Sequence, residues 1–494
     1  MKKKFYLLMT ILIPFSYGMG QKSINQDSLR KDFKLLKEVL ESYHPGLYRF
    51  KNPKTVERDF KLSEQEFIKS KDLKEAYLSL HRATTKIQCG HTYPNFWNQE
   101  KEVRIELFEK EDKLPFTTNI IKNTILINEN LSEKKITTGS EIIAINGIET
   151  RLILDELKRY RRLDGNNMNK FYANFSLTGI GKYEAFDIIF PLLFPPIENH
   201  YTIDLKSNDK YYSVKVKSVS RKYRSDKLLE KDSSFGNVKS KLWQYSFLED
   251  SIARLKIGTF AVWDMKLDWK KFLNDFFSEA KTKKSKYLLL DLRGNEGGLM
   301  EVYRELLSYL TTKPLEIRRY DKYVRYSKAK EIHRPFLETW NESIYDLTDE
   351  VVQNDDYYFE FKDDTYKFFN IVPNPYAFDG KIYMLINADN SSATYYLGNY
   401  LKKNKLATLI GETTGGNQKG TNGGEFFMLK LPYTSLEVDI PLIGYYPIDK
   451  AKDTGLSPDI FVERNLNYFY NKWKLNKDLD ISAFYEDINL KKNQ

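Results

Sequence analysis

Cysteine is almost absent: Cys89 is the single one in a chain of 494 residues, so no internal disulfide can staple the fold. Histidine is scarce as well. There are five, none in HxH or HxxxH spacing, and with one thiol this excludes a zinc signature. No metal and no cofactor is expected. Proline and glycine are sparse, at 16 and 24 residues, and there is neither a low-complexity tract nor an internal repeat, which argues against a linker-rich or fibrous chain. Beyond the first twenty residues no apolar run is long enough to span a bilayer. The formal charge is +10, but the basic residues are interleaved with acidic ones. "KRYRR" and "KTKKSK" are short and separate, so the sequence gives no nucleic-acid surface.

What is present is material for large cores. Hydrophobic residues make up 41% and aromatics 15%, with 35 tyrosines, a composition that suits sheets and binding grooves and excludes disorder. A chain of this length is too long for one core, so two or three domains are expected.

Residues 1–20 read as a signal peptide. "MKKK" is a basic n-region, "FYLLMTILIPFSYG" a short apolar h-region, and "GMG" before Gln21 offers small residues for cleavage. The expectation is an exported protein, periplasmic or extracellular, with no membrane span after cleavage. Residues 21–100 read as a mostly helical domain. Leu29, Phe33, Leu36, Leu40 and Tyr43 recur at helical spacing before Pro45-Gly46, and Leu73, Ala76, Tyr77, Leu80 and Ile87 repeat the pattern. Residues 101–220 change to short strand-like runs such as "TILIN", "EIIAING" and "YYSVKVKSV". From 221 to 494 longer apolar runs alternate with helical patterns, the mark of an α/β domain.

Three segments carry candidate chemistry. In "KYLLLDLRGNEGGLMEVYRELLSYL" an apolar strand hands over to a helix through a glycine-rich turn. Such a turn can present backbone N–H groups to an oxyanion, or it can be a tight turn with no ligand. In "INADNSSATYYLGNYLKKNKLATLIGE" a second apolar run meets a helix at Ser391 and Ser392. A serine there is exposed to the positive end of the helix dipole, and serine is also among the best helix caps. A serine nucleophile needs a base. His91, in "CGHTY", follows a glycine in a turn-like segment, whereas His44, His81, His200 and His333 lack such a context. Histidine suits the role because its pKa lies near neutrality.

"CGHTY", "DLRGNEGG" and "NSSATYYLGNYLKKNKLATLIGETTGG" occur in the order of the hallmark segments of the C-terminal processing (tail-specific) serine peptidase family. The chain resembles that family's tricorn-core branch over roughly residues 25–465, and "GSEIIAING" (Gly139 to Gly147) looks like its PDZ segment. The resemblance implies an α/β multidomain fold: a helical domain, a PDZ-like domain over 101–220 with an insertion, and a crotonase-like α/β catalytic core over 221–494. It implies an exported serine endopeptidase acting through an acyl-enzyme, with polypeptide substrates held in part by their C-termini. In the family the nucleophile lies twenty residues before the glutamate of a Gly-Glu strand end. Counting back from Glu412 reaches Ser392, and Thr394 and Tyr395 replace the usual Ser and Glu. The lysine of the bacterial branch is replaced by Asn417, with Lys419 two residues on, so the resemblance makes His91 the base. The assisting serine before that histidine is Gly90 here. The family's glutamate falls near Lys452, which leaves Asp453 or Asp449 to orient the histidine. The oxyanion hole is implied to be Gly297 or Gly298 together with Ala393. The alternative is a catalytically inactive protein on the same scaffold that binds peptides or apolar ligands.

Overall fold

A computed structural model describes residues 25–179, 181, 183–231, 241–248, 251–263, 265–318, 320–362 and 368–492. The expected signal peptide lies outside the described residues. The fold is mixed α/β and multidomain. No helix among the described residues is long and apolar enough to cross a membrane.

Four helices open the chain: Gln26–Tyr43, Pro53–Phe67, Leu73–Thr85 and Lys101–Leu107. Each of the first three begins at an asparagine or aspartate (Asn25, Asn52, Asp72) whose side chain accepts an N–H of the first turn, which satisfies a donor the helix itself cannot pair. Residues 116–217 then form an antiparallel sheet whose strands run in the order Phe116–Ile121, Thr124–Asn130, Glu141–Ile145, His200–Ser207, Lys210–Lys217. A short strand, Ile148–Glu149, hangs on the third.

The C-terminal half holds two six-stranded sheets. One has the order Ile460–Phe461, Ala407–Gly411, Lys381–Ile386, Tyr287–Asp291, Ile252–Ile257, Trp243–Leu248. It is parallel throughout except for its last pair. Its central strands are buried apolar runs, as expected for a sheet covered on both faces. The other is antiparallel and centres on the long hairpin Thr421–Lys430 and Glu437–Tyr446.

The helical segment shares its core with the rest of the molecule. Leu29, Phe33 and Leu40 belong to one buried cluster with Ile142 and Ile203 of the first sheet and with Phe427, Val438 and Ile440 of the hairpin. A second cluster fills the parallel sheet, with Leu255, Leu290, Met384 and Leu397. This packing carries the segment around His91, early in the chain, to the hairpin. Tyr93 bridges Asp439, and His44 Nε2 is 2.8 Å from the Thr92 hydroxyl.

Candidate active site

The two turns singled out in the sequence lie side by side. Strands Tyr287–Asp291 and Lys381–Ile386 are parallel neighbours, with Leu385 opposite Asp291. Each ends in a turn and restarts as a helix, Met300–Tyr309 and Ser392–Lys403 respectively. The carboxyl ends of parallel strands are where such sheets bind ligands.

Two fully buried asparagines lock the turns together. The Asn390 side chain donates to the carbonyls of Leu292 (2.6 Å) and Asn295 (3.0 Å). Asn295 donates to Ile257 O at 3.0 Å and accepts from Gly297 N at 2.9 Å and from the Thr394 hydroxyl at 2.7 Å. Each buried polar group is thereby paired, and breaking one bond would leave its partner unsatisfied. Thr394, where the related segments carry serine, makes one of these bonds.

Neither serine caps its helix through its side chain. Ser391 holds the cap position with extended backbone, and its side chain makes no cap bond. Its hydroxyl sits 3.2 Å from the carbonyl oxygens of Glu296 and of Asp389. Ser392 has φ of 50°, a left-handed conformation that a serine adopts at a cost of about 1–3 kcal/mol. Its hydroxyl bonds to no described residue. Gly297 is the close neighbour: a Cβ added there would fall 2.8 Å from Ser392 Cβ and 3.0 Å from Ala393 N. Gly297 and Gly298 have φ of 106° and 138°, a region that favours glycine, and a Cβ on Gly298 would collide with the Phe260 backbone. Of the two glycine amides, that of Gly297 is already donated to Asn295. Those of Gly298 and Ala393 bond to no described residue.

Beside these turns lies a cavity of about 240 Å³ lined by His91, Asp164, Lys170, Glu296, Ser391 and Phe426, among others. The structure thus brings His91 and the serine pair to one place, and of the two it is Ser391 that lines the cavity itself. Burial pushes the His91 imidazole below its usual value, and Asp164 opposes that shift while Arg162 adds to it. The imidazole is therefore neutral at pH 7, the state a general base requires. Its Nδ1 is buried with no hydrogen-bond partner among the described residues. Asp164 accepts from Gly90 N at 2.9 Å and from the Thr421 hydroxyl at 3.0 Å. Lys170 is 6% exposed. Its ammonium donates to Asp389 O (2.9 Å), pairs with Glu296 (3.3 Å) and stands 3.5 Å from the Ser391 hydroxyl. Burial would raise the Glu296 carboxyl, but Lys170 and Arg162 outweigh it and hold the group below the usual range.

The other expected residues sit elsewhere. Asp453 accepts from Asn417 (2.7 Å) and from the Asn166 backbone (3.2 Å). It does not line the cavity, whereas the Asp164 and Glu296 carboxylates both line it with His91. Asp449 faces Lys403, the last residue of the serine helix, at 3.8 Å. Asn417, at the position of the absent lysine, donates to Asp164 O at 2.9 Å, and Lys419 lies over the Phe50 ring. Sequence reasoning missed Asp164, Lys170, Arg162 and Glu296. Asp164 sits in "RRLDGNN", which reads only as helix followed by turn. Glu296 stood inside the quoted glycine turn and was the one with a visible signal. No group of His, Cys, Asp and Glu among the described residues is arranged to hold a metal ion.

No curated protein matches the chain. Among solved structures it resembles mature CPAF complexed with lactacystin, at 14% identity over 94% of this chain and 97% of that one, with a TM-score of 0.61. It also resembles mature CPAF alone, at 14% identity over 90% and 94%, with a TM-score of 0.56. At that identity the likeness is one of fold. Residues 252–462 match peptidase family S41, a span that contains both turns and the serine pair. The chain therefore carries a peptidase family S41 domain and is a serine-type peptidase.

Proposed function

We propose that the protein is an exported endopeptidase in which Ser392 attacks a peptide carbonyl and His91 accepts its proton. The observation that carries this reading is the pairing of a strained, unbonded Ser392 with two unbonded amides, Gly298 and Ala393, beside a half-buried neutral imidazole. The tetrahedral intermediate forms as the Ser392 oxygen bonds to the carbonyl carbon. Its oxygen takes the negative charge and accepts from the Gly298 and Ala393 amides. Collapse breaks the C–N bond, and the proton held by His91 passes to the leaving amine. Water, deprotonated by His91, then releases the acyl group and restores the serine. Asp164 favours the charged imidazole that forms in both steps. Gly298 replaces Gly297 as the preferred donor because the Gly297 amide is already engaged.

The sheet of residues 116–217 serves in this reading as a PDZ-like module that takes a substrate segment, a C-terminus included, as an added strand. Its edges are Phe116–Ile121 and Lys210–Lys217.

Lys170, 3.5 Å from the Ser391 hydroxyl, is the alternative base. Cleavage of an unfolded polypeptide by Ser392→Ala, His91→Ala and Lys170→Ala variants separates the cases. Loss in the first two is expected. Full activity of His91→Ala together with loss in Lys170→Ala would replace the base.

A further inference from the structure

A second, larger cavity of about 430 Å³ opens along the serine helix. Ser392, Tyr395, Tyr396 and Asn399 follow at spacings of three and four, so they share one helix face, and side chains on a helix lean toward its N-terminus. Tyr395, Tyr396 and Asn399 line the cavity, which therefore starts one turn from the nucleophile. Met300 and Tyr303, two and five residues past Gly298, line it from the neighbouring helix. A substrate carbonyl on the Gly298 and Ala393 amides thus has this cavity within one side chain's reach.

The walls are largely aromatic, with polar and charged side chains set among the rings. Tyr320 lies 4.5 Å from the Tyr396 ring and Tyr445 lies 6.1 Å from it, centre to centre. The Tyr396 hydroxyl is buried with no partner among the described residues, a costly state that a ligand oxygen would relieve. Lys322 also lines the cavity. Burial, with Arg304 second, lowers its ammonium to about 8, so an oxygen acceptor there would be welcome and a second cation would not. Lys403 and Lys450 stand on the same lining against the single carboxylate Asp449.

We propose that this cavity receives the substrate side chain on the acyl side of the scissile bond, and that it selects a large aromatic side chain carrying a terminal oxygen, tyrosine first. The size suits a ring, the tyrosine faces suit stacking, and Tyr396 and Lys322 meet the oxygen. Lysine and arginine are turned away by like charge. The proposal rests on the reading of Ser392 as nucleophile.

The test uses the full-length protein and peptides identical except at the residue before the cleaved bond. The ratio of kcat/KM values is read, together with fluorophosphonate labelling of the wild-type protein. Tyrosine is expected to exceed alanine by about 100-fold and phenylalanine by about tenfold, with lysine no better than alanine. Lys322→Met and, separately, Tyr396→Phe bring the tyrosine-to-phenylalanine ratio toward one. Two variants are used because a methionine at 322 also changes the packing of the cavity wall, whereas Tyr396→Phe removes only one oxygen. A Ser392 that labels in a protein that cleaves tyrosine, alanine and lysine peptides alike overturns the pocket alone. A Ser392 that does not label, in a protein that cleaves none of them, overturns the nucleophile and the pocket together.

Discussion

The two halves of the site are built in different ways. The serine half comes from two adjacent strand–turn–helix units, and its turns are tied by the short, fully buried bonds of Asn295 and Asn390. The histidine half is gathered from three distant segments: residues 90–93, residues 162–170 and the hairpin that supplies Phe426 and Asp439. Its contacts run through side chains on different layers, such as Gly90 to Asp164 and Asp164 to Thr421. A nucleophile and an oxyanion hole demand fixed geometry, and the first half provides it through local backbone. A base needs the right protonation state, and the second half sets that through burial and surrounding charge.

The largest effect belongs to the serine half. Ser392→Ala is expected to abolish peptide cleavage while thermal melting changes little, because the alanine removes only an unbonded hydroxyl; an active variant would move the nucleophile to Ser391. Gly298→Ala comes next. Its Cβ would strike Phe260, and kcat should fall by about 10²–10³, the cost of losing one oxyanion donor; wild-type kcat would reassign the hole. Asn295→Ala should lower both stability and rate, since it orphans the Gly297 amide and the Thr394 hydroxyl at about 1–3 kcal/mol each. Denaturant unfolding checks the first part, and an unchanged midpoint would show that the turns hold without it.

The histidine half should respond in its pH profile. His91 lies below its ordinary 6.5, so the acid limb of kcat/KM is expected below that pH. Asp164 raises the imidazole pKa, so Asp164→Asn should move the limb lower still as well as slowing the reaction. A limb that moves upward, or stays fixed, would mean that Asp164 does not act on the base. The smallest change is Gly90→Ser. An added Cβ would stand 3.5 Å from the Asp164 carboxylate, ordinary contact, so the protein should fold and its limb shift only slightly.

Legibility in the sequence divides along the same line. Apolar strand, glycine turn and periodic helix are local patterns, and they located both turns and the parallel sheet of Leu290 and Met384. Ser392 was implied by the family resemblance, through its spacing to Glu412 within one continuous segment. The choice between Gly297 and Gly298 was not legible, because it depends on where the Asn295 side chain turns. Asp164 and Lys170 were hidden because nothing near them in the chain announces chemistry. They matter only once Gly90, Thr421 and Asp389 are brought beside them. The long antiparallel hairpin also escaped notice, and with it the shared core that carries the helical segment to the site.

The most direct measurement is mass spectrometry of peptides from the fluorophosphonate-treated protein, wild type beside His91→Ala. The account predicts one adduct, on Ser392, forming about 10²-fold or more slowly without the imidazole. An adduct on Ser391, or equal labelling rates in the two proteins, would contradict it.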